Sequence, residues 1–171
     1  KPYGRNQQLK PSPVKILAQA HNLKIEQPKD KQSLKDIFEN LKEKPDLIVV
    51  CDYGMIIPKT VLESSKLGSI NVHPSLLPKY RGASPIQSAL INGDKETGVS
   101  IMFMDEKLDH GAIILQEKIN IENTDNYSSL AQKLLPLAKI LIVEGIKKVF
   151  SNPSFKGEAQ DDSQAVICRE F

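Results

Sequence analysis

The sequence predicts an α/β fold built on a mostly parallel sheet, and three observations carry that prediction. Asp46-Leu-Ile-Val-Val-Cys51 is an unbroken strand-forming run between Pro45 and Gly54, the pattern of a strand covered on both faces. A second short apolar strand, Gly68 to His73, follows after a brief helical turn. Helical patterns stand before the first strand and after the second, the rhythm of strands joined by crossover helices.

Taken in order, residues 1–11 are polar, basic and rich in Pro and Gly, which predicts a loop. Lys1 to Gln8 reads as the middle of such a loop, with no initiator methionine, so preceding sequence is expected. Ser12-Pro13 offers an N-cap and a proline at the first helical position. Val14, Leu17, Ala18 and His21 then mark one face of a short helix. Leu23 to Glu26 is expected as a brief strand ended by Pro28. A helix capped near Ser33 follows, with Leu34, Ile37, Phe38 and Leu41 as its apolar stripe. Pro58 opens a turn through Val61 and Leu62. Ser84-Pro85-Ile86-Gln87 starts a helix that should stop at Asn92-Gly93. Thr97 to Met104 and Ile113 to Ile121 are further strands. Tyr127 to Phe150 is the longest helix, and Pro136 is expected to kink or interrupt it. Beyond Ser151 the chain is polar and expected to be irregular, with a last strand at Ala165 to Ile167.

Composition narrows the function classes. At 171 residues the chain suits one core, and 40% apolar content fits a globular domain. A net charge of +2 announces no bulk nucleic-acid binder, although Lys1, Arg5, Lys10 and Lys15 cluster near the start without an acid among them. Cys51 and Cys168 form no motif, and Cys51 is expected as a buried thiol. The three histidines lack paired metal-ligand spacing, so no metal is expected. Neither a phosphate-binding glycine loop nor a nucleophile elbow occurs. No apolar run is long enough to span a bilayer and no signal-peptide core is present, so the expectation is a cytoplasmic protein off the membrane.

Chemistry concentrates in Gly68 to Gly82. Asn71 and His73 are two residues apart on a strand, so their side chains leave the same face. Pro74 holds His73 extended, and Ser75-Leu76-Leu77-Pro78 makes a stiff loop. Asp109 sits in the loop after the Thr97 to Met104 strand. In a parallel sheet, loops after neighbouring strands share an edge, which would bring Asp109 toward His73. An amide, an imidazole and a carboxylate suit acyl-type transfer: Asn71 and a charged His73 face a developing oxyanion, and Asp109 holds the ring. Each residue alone also fits a plain structural role, as turn former, satisfied polar group or loop cap.

The residues Asn71-Val-His-Pro-Ser-Leu-Leu-Pro78, Tyr80-Arg-Gly-Ala83 and Asp109-His-Gly111 resemble the folate-dependent formyltransferases. The resemblance runs over nearly the whole chain. It implies a Rossmann-like formyltransferase fold, lacking its first strand-helix-strand in this chain, with residues 1–160 as an N-terminally truncated catalytic domain. Residues 161–171 would begin a linker toward an absent C-terminal barrel domain. It implies Asn71, His73 and Asp109 as the catalytic trio, and Ser75, Leu76, Leu77, Pro78 and Asp105 at the site of the co-substrate, 10-formyltetrahydrofolate. Segments outside that core, including Gln8 to Lys15 and Gly93 to Met102, resemble the branch that formylates methionyl-initiator tRNA. That branch implies Lys1, Arg5, Lys10 and Lys15 as RNA contacts and a monomer as the working state. Glycinamide ribonucleotide and amino-sugar nucleotides are the alternative acceptors, and an inactive folate- or RNA-binding module is the alternative from another class. His110 departs from the family pattern, where threonine is usual, as does Cys51-Asp52 before Tyr53-Gly54.

Overall fold

A computed structural model describes residues 11–168 together with two short strands, β1 (Pro2–Tyr3) and β2 (Gln8–Leu9), which pair antiparallel. Lys1, Arg5 and Lys10 lie outside the described residues. Helix α1 (Pro13–Ala20) begins where Ser12-Pro13 predicts, with Ser12 Oγ accepting from the Lys15 N–H. Its apolar residues are not covered among the described residues: Val14, Ile16 and Leu17 are all exposed. No strand forms at Leu23 to Glu26, which is irregular. Helix α2 (Lys31–Glu39) starts earlier than the expected Ser33 cap, because Asp30 and Ser33 make a reciprocal capping box. Ser33 is thus the third helical residue rather than the cap.

Strand β3 (Ile48–Val50) is shorter than its apolar run, and Val49 is exposed, so it is not covered on both faces. Cys51, expected inside, is likewise exposed, while Cys168 is the buried thiol. Short helix α3 (Lys59–Leu62) leads to β4 (Ser69–His73), which runs parallel to β3 with Val50 opposite Asn71. Next come β5 (Arg81–Gly82) and α4 (Pro85–Ile91). Pro85 stands at the start of α4 as predicted, but Ser84 makes no side-chain cap bond; its N–H donates to Cys168 Sγ instead.

The remaining strands correct the expected parallel sheet. β6 (Glu96–Phe103) lies antiparallel to β4, and β7 (Ile113–Asn120) lies antiparallel to β6. The four-stranded sheet, ordered β3-β4-β6-β7, therefore has one parallel ladder and two antiparallel ones among the described residues. A connection through residues 104–112 is too short for a crossover helix, so β7 must return antiparallel beside β6. Helix α5 (Tyr127–Ser151) opens on a capping box of Asn126 and Ser129 and runs through Pro136 without interruption. β8 (Ile167–Cys168) pairs parallel with β5, starting two residues and ending one residue later than the predicted last strand.

The core lies between the sheet and α4 and α5. Ile70, Val99, Ile101 and Ile114 pack with Ile86, Leu130, Leu134, Leu141 and Val149. Fully burying each such side chain contributes roughly 1.5–3 kcal/mol. Gly145 lets α5 approach closely, since a Cβ there would stand 3.0 Å from Ile101 Cγ2. From Thr97 to Met102, β6 is buried on both faces. Val99 and Ile101 face the helices by strand alternation, leaving Ser100 for the opposite face, where it meets the Ser75 to Leu77 loop.

Candidate active site

Strand β4 ends on Asn71 and His73, and the chain then turns through Pro74 into a buried loop. Ser75 Oγ donates to the Lys79 carbonyl at 2.6 Å, closing that loop on itself. Ser100 anchors it from β6: its hydroxyl donates to the Ser75 carbonyl at 2.6 Å and accepts the Leu77 N–H at 3.1 Å. Gln116 of β7 donates to the Leu77 carbonyl at 3.0 Å and to Ser100 Oγ at 2.7 Å. Ser75 and Leu77 are consequently buried and give the loop its shape, whereas Leu76 and Pro78 are half-buried. Leu77 and Pro78 also line a cleft of about 610 Å³ with Gln116, Phe155, Gln160 and Asp161.

The loop returns past His73. His73, only 4% exposed, places Nε2 at 2.8 Å from the Tyr80 carbonyl. A carbonyl can only accept, so Nε2 carries a proton and Nδ1 is left toward the carboxylate side. There Asp109 Oδ2 stands 3.7 Å from Nδ1 and accepts the Gly82 N–H at 2.8 Å. The 3.7 Å separation exceeds a direct hydrogen bond, which needs about 3.2 Å or less. Tyr80 and Gly82, flanking Arg81, thus hold the imidazole and the carboxylate at a fixed spacing. The Asn71 side chain, half-buried, forms no hydrogen bond among the described residues and leaves its amide free to donate.

Asp109 reaches this position by a different route from the one parallel loops would supply. β6 is antiparallel to β4, so its last residue, Phe103, lies beside Ile70, at the opposite end of β4 from His73. Met104 N–H donates to the Ser69 carbonyl, and Phe103 N–H to Ala112 O, pinching the base of the 104–111 loop. That loop folds back toward His73, and Asp109 takes a left-handed backbone (φ 45°) to do so. A non-glycine residue held there costs about 1–3 kcal/mol and needs support from its surroundings.

The support comes from residues that a reading of local pattern passes over. Gln160 Nε2 donates to the Asp109 carbonyl at 2.9 Å and to Gly111 O at 2.8 Å. Its Oε1 accepts from Arg81 Nε at 3.0 Å, and Arg81 also donates to Asp162 Oδ1 at 2.8 Å. Asp161 to Cys168, expected as the start of a linker, is tied to the central loop by these bonds and by the β5–β8 ladder. The Arg81 guanidinium, followed by smaller contributions that include His110, holds the Asp162 carboxyl below the usual aspartate range. Burial raises the Tyr80 phenol above its ordinary value. No signal in the sequence marks Gln160, since it stands in a polar stretch without periodicity.

The other candidates fall around this centre in different ways. Asp105 is exposed and committed within its own loop: Oδ2 lies 2.6 Å from His110 Nδ1, and Oδ1 accepts the Lys107 N–H. Lys15, on α1, donates to Gln27 Oε1. Among the described residues no group of three or more His, Cys, Asp or Glu side chains is gathered to hold a metal, and no helix is long and apolar enough to cross a membrane.

An α/β sheet that presents an amide, an imidazole and a carboxylate at one loop cluster has the fold of the formyltransferase class. It superposes on phosphoribosylglycinamide formyltransferase from Bacillus halodurans with a TM-score of 0.75 and 29% identity, over 84% of this chain and 78% of that one. It superposes on the N-formyltransferase from Helicobacter canadensis, in complex with folinic acid and dTDP-3-aminofucose, with a TM-score of 0.74 and 22% identity, over 91% and 53% of the chains. HypX from Aquifex aeolicus, in complex with tetrahydrofolic acid, matches with a TM-score of 0.65 and 20% identity, over 74% and 22%. The last two likenesses show the fold alone.

The sequence pattern of the formyl transferase family matches residues 1–146, and the chain belongs to that family. Methionyl-tRNA formyltransferase of Kosmotoga olearia is 48% identical over 166 residues, which is 96% of this chain and 53% of that protein. The same enzyme of Caldicellulosiruptor saccharolyticus is 47% identical over 160 residues, 93% of this chain and 51% of that protein. The chain spans about half the length of the curated relatives it matches.

Proposed function

We propose that the protein transfers a formyl group from 10-formyltetrahydrofolate to the α-amine of methionyl-initiator tRNA. The observation that carries this reading is the meeting of His73 and Asp109 at the Tyr80 to Gly82 segment, with Asn71 two residues before His73 on β4. Similarity to methionyl-tRNA formyltransferases along almost the entire chain supports this acceptor. Folate as the formyl carrier draws support from the folinic acid and tetrahydrofolic acid held by proteins of the same fold.

The residues present suit such a donor. An ion pair between Lys59 and Glu106 draws the segment entering α3 beside the 104–108 loop. Both stretches carry exposed apolar side chains, Ile56 and Leu108, on which an aromatic ring system can rest. The half-buried Leu76 and Pro78 supply further surface, with Ser75 and Leu77 fixing the loop from below. Asp105 contributes by holding the loop's shape through its bonds to Lys107 and His110.

In this reading Asn71 donates its side-chain amide to the formyl oxygen as negative charge grows there. His73, buried and anchored by its bond to Tyr80, adds a second electrostatic contribution. The amine attacks the formyl carbon, and the bond from that carbon to N10 of the folate breaks. Asp109, through an ordered water, passes the proton lost by the amine to N10, so that the folate leaves as tetrahydrofolate. Lys1, Arg5, Lys10 and Lys15 serve the acceptor RNA by contacting phosphates, which orients a duplex end without reading bases.

The test is a formyl-transfer assay on the full-length protein with 10-formyltetrahydrofolate and three acceptors: methionyl-tRNA, glycinamide ribonucleotide and an amino-sugar nucleotide. Methionyl-tRNA is expected to be the preferred acceptor by a wide margin, and preference for either other amine would replace it. Asn71→Ala, His73→Ala and Asp109→Asn should each lower turnover by roughly 10²–10⁴-fold with folding kept. Near-normal turnover in all three would remove the site assignment.

A further inference from the structure

Asp109 is held at both ends, and the two holds belong to one ring of bonds. Its carboxylate accepts the Gly82 N–H, and its backbone carbonyl accepts from Gln160. Gln160 in turn accepts from Arg81, the residue immediately before Gly82. The ring therefore closes through side chains far apart in sequence and fixes the Asp109 backbone relative to the strand segment that also anchors His73.

Gln160 is suited to this place by its chemistry. A primary amide carries two N–H donors and one carbonyl, and here each donor meets one carbonyl of the Asp109 to Gly111 turn. Arg81 can only donate, so it dictates which end of the amide faces it, and the N–H₂ must point at the turn. Arg81 is itself buried and steadied by Asp162, so the amide is orientated by a group with little freedom. A left-handed backbone at Asp109 is costly for a non-glycine residue, and these two bonds hold the turn in it.

We propose that Gln160 is a positioning residue for the formyl-transfer site, holding the Asp109 turn so that its carboxylate stays between the Gly82 N–H and the His73 ring. The proposal rests on the formyl-transfer reading for its kinetic consequence, but not for its geometric one. Gln160 touches no reacting atom and acts through the Asp109 backbone.

Two substitutions in the full-length protein separate this role from packing. Gln160→Met keeps length and apolar stem but loses the amide. Gln160→Glu still accepts from Arg81 yet cannot donate to the two carbonyls. Both are expected to lower kcat by about 10–100-fold, the scale of a misplacement near 1 Å, with the Michaelis constants of both substrates within about twofold of wild type. Both should also speed hydrogen exchange at the Gly82 amide, while β6 amides such as Ile101 keep their protection. Wild-type kcat and Gly82 exchange in Gln160→Met would overturn the proposal, as would full activity in Gln160→Glu, which would leave the Arg81 contact as the only one that matters. Gln160→Asn, one methylene shorter, replaces either variant that fails to fold, with the same two readouts deciding. If the wild-type protein transfers no formyl group, the functional reading fails, and Gly82 exchange still decides the role of Gln160.

Discussion

Ser100 shows how much one buried hydroxyl can determine. It donates to Ser75 O and accepts from Leu77 N–H and Gln116 Nε2, so a single side chain joins two strands to the loop that follows His73. Ser100→Ala leaves a buried carbonyl and a buried N–H short of partners, a loss of about 1–3 kcal/mol. The expected outcome is a lower melting temperature and, if Leu76 and Pro78 bear on the formyl donor as proposed, a raised Michaelis constant for it. A variant that melts as wild type does would show that the loop is held elsewhere. At this same scale Asn71 and His73 were legible in the sequence, since strand alternation puts them on one face. Gln160 was not, because its role depends on carbonyls presented by a turn far away in the chain.

Among the elements, the small β5–β8 pair does more than its length suggests. Gly82 has φ 118°, and a Cβ on it would stand 2.4 Å from the Cys168 carbonyl. Gly82→Ala must therefore separate the two strands and carry the Gly82 N–H away from Asp109. We expect a substantial drop in melting temperature and in turnover. Gly54→Ala, where nothing lies within 4 Å of the added carbon, is expected to leave both nearly unchanged. Equal effects of the two substitutions would refute the argument. Most element positions were legible: Pro13, Pro58 and Pro85 marked helix starts, and Asn92-Gly93 marked an end. The misreadings at Ser33 and Ser84 share a cause, in that a capping residue is recognised by type whereas its bond depends on the neighbours it meets.

For the molecule as a whole, residues 160–168 close the site by binding the central loop, and this closure is sensitive to acid. In the folded protein the Asp162 carboxyl lies below its ordinary value of 3.8, chiefly through the Arg81 hydrogen bond. As pH falls through that range the unfolded chain takes up the proton first, so the contribution is complete above about pH 3.8 and is lost below it. Asp162→Asn should thus be less stable than wild type near neutrality, and the difference should shrink as pH drops under that value. Melting curves of both proteins over this range check the point, and a difference that persists in acid would exclude the pair as its source.

The sequence by itself determined the α/β class, the order of the main helices and strands, and the Asn71, His73 and Asp109 candidates. These follow from alternation, proline chemistry and motif spacing, which act over a few residues. Tertiary structure decided the direction of β6 and β7, the exposure of Val49 and Cys51, and the route by which Asp109 returns to His73. It also decided that Gln160 supports that return. Ladder direction and side-chain partnership are set by groups distant in sequence, whose free energies appear only once the chain is packed.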